Sequence, residues 1–197
     1  MALEMQQLRD YQTFIDKGLY LQTGIPRGFK KIRVHLVYAV KHDRCHKARV
    51  VADGHLTDIP LNSVYAGVVS IRGMQLCLFL GELNGMEAYA TNIGNSYLEA
   101  KTREKVCIRA GPEFEELEGH LLIIYKALYG LRSSGREFGD LLADCLRKEG
   151  FTLSLAEPQI FMRERDGLWE YIATYVDDLL IVSKDPQSII EMLQLAP

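Results

Sequence analysis

Near the C-terminal end of the chain, two strand-like runs lie two residues apart, and no other feature limits the possible folds as tightly. Residues 171–176 and 179–182 are rich in β-branched and aromatic side chains, the composition of strands. Asp177 and Asp178 stand between them. A two-residue connection between strands makes an antiparallel hairpin, so the fold must contain a sheet here. Neither residue is Gly or Asn, which the primed turns of tight hairpins prefer. Two like charges side by side also repel. A turn that accepts both costs usually holds something cationic. Asp is also an ordinary turn residue, so a solvated turn is the competing reading.

Bulk properties narrow the class. The 197 residues suit one large domain or two small ones. A hydrophobic content of 48% and a charged content of 25% describe a globular chain with a real core. The net charge of −3 excludes a global basic signature, so any nucleic-acid surface must be local. Cys45, Cys77, Cys107 and Cys145 are far apart and read as reduced thiols of an intracellular protein. No apolar run reaches membrane-spanning length and no signal-peptide pattern opens the chain, so no membrane partner is expected. The chain stops at Leu195, Ala196 and Pro197, inside a helical pattern, which reads as a truncation.

Residues 1–24 show no sustained period, although Leu3, Met5 and Leu8 fit a short helix. Residues 32–41 alternate, a polar turn follows at 42–46, and 47–53 form a second strand, so 32–53 is an expected hairpin. Lys47, Arg49 and Val51 share one face of it; that pair of cations either grips phosphate or is a solvated face. His42, Asp43, Cys45 and His46 crowd together without the second pair of ligands that structural zinc needs. Residues 53–61 read as a loop. Residues 68–83 are apolar nearly all round and predict a buried helix. Strands are expected at 86–93, 106–109 and 121–125, with the acidic run Glu113, Glu115, Glu116 and Glu118 in a solvated loop. Ser134 and Glu137 have capping-box spacing ahead of a helix carrying Phe138, Leu141, Leu142, Cys145 and Leu146, ended by Gly150. A hairpin around residues 165–167 precedes the Asp177-Asp178 hairpin, and Pro186 opens a last helix. The expected fold class is α+β, with an antiparallel sheet covered by helices on one face.

Four stretches in this order carry a resemblance. Residues 175–178 resemble the catalytic hairpin of reverse transcriptases. Residues 126–135, containing Leu128, Tyr129, Gly130 and Leu131, resemble the Leu-Tyr-Gly-Leu stretch of copia-type retrotransposon polymerases. Residues 47–54 are similar to their fingers strand, and residues 92–98 to their first catalytic motif. The match runs from about residue 29 to 190. It implies a right-hand polymerase, with an N-terminal extension at 1–28, a fingers-like part at 29–85 and a palm part at 86–197 carrying the catalytic hairpin, the thumb missing. By the resemblance, Asp177 is the principal metal ligand, Asp178 its supporting carboxylate, and position 92 the other metal-binding site. Lys47 and Arg49 would touch the incoming triphosphate, Tyr97 would reject a ribose 2′-hydroxyl, and Gly130 would help shape the nucleotide pocket. The implied cofactor is two Mg²⁺ ions, with Mn²⁺ as a substitute. The implied partners are an RNA or DNA template with primer, deoxynucleoside triphosphates, and integrase and RNase H segments of one polyprotein, in a cytoplasmic virus-like particle or the nucleus.

The implied chemistry is attack by a primer 3′-hydroxyl on the α-phosphorus of a nucleoside triphosphate, assisted by two metal ions. Mg²⁺ is a hard cation that takes carboxylate and phosphate oxygens. Arg suits phosphate because its fork of donors matches the oxygens. The chain departs from the family pattern at two places. Asn92 stands where the family has Asp, which leaves the site one negative charge short and predicts impaired catalysis. Phe138 stands where Trp is expected, a change of packing. The alternative is a non-catalytic, nucleic-acid-binding or structural remnant of the same fold.

Overall fold

The computed structural model describes residues 1–40, 42, 44–57 and 64–195. Lys41, Asp43, residues 58–63, Ala196 and Pro197 lie outside the described residues, and with them parts of the expected polar turn, loop and C-terminal helix. The first elements are α1 (Ala2–Asp10), β1 (Phe14–Leu19), α2 (Tyr20–Thr23), β2 (Lys30–Lys31), β3 (Val34–Val40) and β4 (His46–Ala52). Then come α3 (Ile71–Leu83), β5 (Glu87–Asn92), α4 (Ser96–Glu99), β6 (Val106–Arg109), β7 (His120–Ile124) and α5 (Ser134–Lys148). The last are β8 (Thr152–Leu153), β9 (Ile160–Arg165), β10 (Leu168–Tyr175), β11 (Asp178–Ser183) and α6 (Pro186–Leu195). The fold is mixed α+β. It divides into two compact units, Met1–Tyr65 with Asn95–Phe138, and Ala66–Gly94 with Gly139–Pro197.

The first unit holds a four-stranded sheet in the order β1-β7-β6-β2, with β2 parallel to β6 and the other pairs antiparallel. The apolar runs of β6 and β7 supply its centre: Ile108, Leu122 and Ile124 pack with Leu8, Val50 and Leu128. β3 and β4 form the expected hairpin, paired from Val34 with Ala52 to Val40 with His46. Within β4, Val50 and Ala52 are buried, so Lys47, Arg49 and Val51 take the opposite face. β1 has no counterpart in the sequence reading. Its residues do not alternate cleanly, and pairing with the strong apolar strand β7 decides its conformation.

The capping box at α5 does not form. Ser134 Oγ donates to the Leu128 carbonyl at 2.7 Å, and Glu137 accepts from the Arg103 N–H at 2.6 Å. Ser133 instead bonds Glu104 through both its N–H and its hydroxyl. The motif's side chains thus tie the helix start to neighbouring segments. Burial pushes the Glu137 carboxyl above its ordinary value, partly countered by the Arg103 N–H.

The second unit is built on a five-stranded antiparallel sheet, β5-β11-β10-β9-β8. Coverage on one face only does not hold. Ala173 and Val182 are buried on the face that α3 covers, while Ile172, Leu179 and Ile181 are buried on the opposite face. The sequence carries the reason: residues 179–182 are apolar without alternation, as strands buried on both faces are. α3 is likewise not buried all round. Gly73, Cys77 and Gly81 face inward, while Ile71, Leu76, Phe79 and Leu83 are exposed. A Cβ on Gly81 would collide with the Val182 side chain, so glycine sets how closely α3 approaches the sheet. Among the described residues no helix is long and apolar enough to cross a membrane, and none of the four cysteines forms a disulfide.

Candidate active site

The second unit positions the acidic hairpin. β10 and β11 pair from Tyr171 with Val182 to Tyr175 with Asp178. The turn is therefore Val176-Asp177, one residue earlier than the sequence spacing predicts, and Asp178 is the first residue of β11. Val176 has φ 56°, a left-handed conformation that a β-branched residue rarely adopts. The Ile93 N–H donates to the Asp177 carbonyl at 2.8 Å, which ties the turn to the end of β5.

β5 lies beside β11 in antiparallel register, with Asn92 directly opposite Asp178. Directly paired residues share a face, so Asn92, Asp178 and Tyr175 project together. The Asn92 amide donates through Nδ2 to Asp178 Oδ1 at 3.0 Å. Both residues are exposed and Asp177 is half-buried. A cavity of about 560 Å³ opens on the same face, lined by the apolar Val69, Met74, Leu78 and Leu180 and by Asn92, Tyr175 and Asp178. Val69 reaches it because its N–H donates to the Thr174 carbonyl at 3.0 Å.

The donor set fits a divalent cation in kind. Two carboxylates and an amide oxygen are hard oxygen donors of the type Mg²⁺ takes. In charge the set is short: among the described residues no group of three or more His, Cys, Asp or Glu side chains gathers to hold a metal. The Asn92 amide turns its nitrogen toward Asp178, and its oxygen is the separate, uncharged donor it could offer a cation.

The remaining sequence-predicted residues lie in the first unit. Lys47 and Arg49 are half-buried neighbours on one face of β4. The Arg49 guanidinium lies over the Tyr129 ring, 4.8 Å from its centre. Tyr97, in α4, packs its ring 5.0 Å from that of Tyr129 and 6.2 Å from that of Phe138. Gly130 has φ 90°, and a Cβ there would collide with the Ala52 carbonyl oxygen, so only glycine fits. The unit thus brings Arg49, Tyr97 and Gly130 around one residue that sequence reasoning did not single out, Tyr129. Its signal was present, since it stands inside the Leu128–Leu131 stretch.

Comparison with known proteins bears on both units. A family model described as "Reverse transcriptase (RNA-dependent DNA polymerase)" matches residues 18–196. The chain is 24% identical over 196 residues to the retrovirus-related Pol polyprotein from transposon TNT 1-94 of Nicotiana tabacum, covering 94% of this chain and 14% of that protein. It is 26% identical over 145 residues to the retrovirus-related Pol polyprotein from transposon RE1 of Arabidopsis thaliana, covering 72% of this chain and 10% of that protein. The corresponding RE2 polyprotein of Arabidopsis thaliana matches at 24% over 144 residues, 71% of this chain and 10% of that protein. The chain therefore spans a seventh or less of the length of these relatives.

Proposed function

The chain belongs to the reverse transcriptase (RNA-dependent DNA polymerase) family, as a domain of the copia type, and from that premise we propose that it is a nucleotidyl-transfer domain impaired at one position. In this reading it copies a primed RNA or DNA template from deoxynucleoside triphosphates, within a polyprotein that also carries integrase and RNase H segments. Residues 29–85 serve as fingers and 86–197 as palm, with 1–28 as an extension. A cytoplasmic virus-like particle or the nucleus is the proposed setting.

One observation carries the reading: the residue at the first-motif position, Asn92, is directly paired with Asp178 of the hairpin at 3.0 Å. Two segments 86 residues apart in sequence meet there, as a two-strand carboxylate site requires. Asp177 and Asp178 would hold the divalent cations through charged oxygens, and Asn92 would add an uncharged one. Bound Mg²⁺ would supply Lewis-acid activation of the attacking and leaving oxygens. Lys47 and Arg49 neutralise triphosphate charge. Tyr97 would exclude a ribose 2′-hydroxyl, and Gly130, where a Cβ would meet the Ala52 carbonyl, would help shape the nucleotide pocket.

Asn92 also favours a second reading. With one anion missing, the domain can retain nucleic-acid binding while losing catalysis, as a remnant of an active enzyme. Extension of a DNA primer on an RNA template separates the two. The Asn92→Asp variant is expected to extend the primer with Mg²⁺ or Mn²⁺, and Tyr97→Ala in that background is expected to raise ribonucleotide incorporation. No extension by Asn92→Asp under any metal condition contradicts the polymerase reading, and unchanged sugar selectivity contradicts the role given to Tyr97.

A further inference from the structure

We propose that Tyr129 is a positioning residue for nucleotide binding, supporting the phosphate-binding cation Arg49 and the sugar-selecting Tyr97 through one ring. The proposal rests on the nucleotide-binding roles given to Arg49 and Tyr97 above. The Tyr129 ring touches both: the Arg49 guanidinium carbon lies 4.8 Å from its centre and the Tyr97 ring 5.0 Å from it, tilted by 43°. All three belong to one compact unit.

The ring itself is held by backbone. The Ala52 N–H donates to the Tyr129 carbonyl at 2.7 Å, which fixes position 129 against the end of the strand that carries Arg49. The next residue, Gly130, turns at φ 90° against the Ala52 carbonyl, where a side chain would not fit. Two residues further on, Arg132 donates from Nε to the Gly54 carbonyl at 3.0 Å and from a terminal nitrogen to the His55 carbonyl at 3.1 Å. Residues 129–132 are thus bonded along the length of residues 52–55, and the Tyr129 ring has little freedom relative to β4.

Chemistry explains why an aromatic ring suits this place. A carboxylate beside Arg49 would hold it in place but neutralise the charge that a triphosphate must meet. A ring face attracts the guanidinium through its quadrupole and leaves its charge unspent. Arg49 Nε is buried and makes no hydrogen bond among the described residues, so the contact with the ring, and not a bond through Nε, orients the group. Fixing a rotamer-rich side chain before binding lowers the entropy lost when ligand arrives. The same ring limits the tilt of Tyr97, so phosphate affinity and sugar selectivity are coupled through position 129.

The test is equilibrium binding of inorganic tripolyphosphate, dGTP and GTP to the full chain by calorimetry. Wild type is compared with Arg49→Ala, Tyr129→Phe and Tyr129→Leu, and with a pentafluorinated phenylalanine at position 129 that keeps the shape but reverses the ring quadrupole. Tyr129→Phe should bind within about twofold of wild type, while Tyr129→Leu and the fluorinated ring weaken tripolyphosphate by about three- to tenfold. Tyr129→Leu should also move the dGTP-to-GTP affinity ratio toward one. If Tyr129→Leu does not fold, the fluorinated variant carries the comparison alone. Binding that falls in Arg49→Ala but not in Tyr129→Leu or the fluorinated variant overturns the proposal and leaves the nucleotide-binding role standing. Equal weakening by Phe and Leu overturns it as well, because the ring face is then not the cause. No binding of any probe by wild type overturns the nucleotide-binding role and this proposal together.

Discussion

β9 and β10 join through Asp166 and Gly167, whereas β10 and β11, the next pair in the same sheet, join through Val176 and Asp177. At the first turn both central residues have positive φ, 53° and 76°, the pattern of a type I′ turn, and Asp-Gly is a sequence made for it. At the second, Val176 alone has positive φ, 56°, which is the sign pattern of type II′, where Gly is preferred. Local propensity and structure agree at Asp166-Gly167 and conflict at Val176-Asp177. A left-handed non-glycine residue costs about 1–2 kcal/mol. What holds the second turn is register. With Val176-Asp177 as the turn, Leu179 pairs with Thr174 and Ile181 with Ile172, and Leu179 and Ile181 are 2% and 0% exposed. Centring the turn on Asp177-Asp178 would slide β11 by two residues along β10 and take Asp178 off the ladder. A two-residue slide keeps Leu179 and Ile181 on the same face but moves them off Thr174 and Ile172, so the strained φ is held by the packing of this register and by the pairing of Asp178 with Asn92. The first hairpin is therefore shaped locally and the second by the sheet around it. Strain of this kind collects at functional sites, and this turn sets Asp178 opposite Asn92.

Three substitutions probe the two turns. The largest effect on stability is expected from Gly167→Val, which imposes on the first turn what the second tolerates; it should cost about 2 kcal/mol in denaturant unfolding, and an unchanged midpoint would mean the first turn relaxes freely. Val176→Gly should instead stabilise the protein by about 0.5–1 kcal/mol, the relieved strain exceeding the added chain entropy. In an Asn92→Asp background the same change should slow primer extension several-fold, because the turn no longer fixes Asp178. A destabilised Val176→Gly protein would show that the turn is not strained. Asp166→Asn is the smallest change, since Asn suits the same left-handed position; its unfolding free energy should stay within about 0.5 kcal/mol of wild type.

How much was legible in the sequence follows the same division. The Asp166-Gly167 hairpin, the β3–β4 hairpin and α5 are visible because period and turn chemistry point one way there. The second turn is misplaced by one residue because no propensity rule puts Val176 in a left-handed conformation. The outer face of α3 carries Ile71, Leu76, Phe79 and Leu83, so apolar content alone reads as burial that the described residues do not provide. At α5 the capping residues Ser134 and Glu137 bond to Leu128 and Arg103, partners far enough along the chain that no local pattern reveals them. The meeting of Asn92 with Asp178 was not readable from spacing either. It was expected only through family resemblance, and the 3.0 Å amide-to-carboxylate bond is what gives it physical content. Tyr129 sits in a stretch already singled out, but its contacts with Arg49 and Tyr97 depend on three separate segments coming together.

The polymerase site proposed above falls one charge short at Asn92. Rates of primer extension on an RNA template by wild type and Asn92→Asp, measured side by side at saturating Mg²⁺, decide whether that charge matters. Restoring the carboxylate is expected to raise the rate by about 10²–10³-fold, the range associated with one preorganised electrostatic contact. Equal and robust extension by both proteins would contradict it.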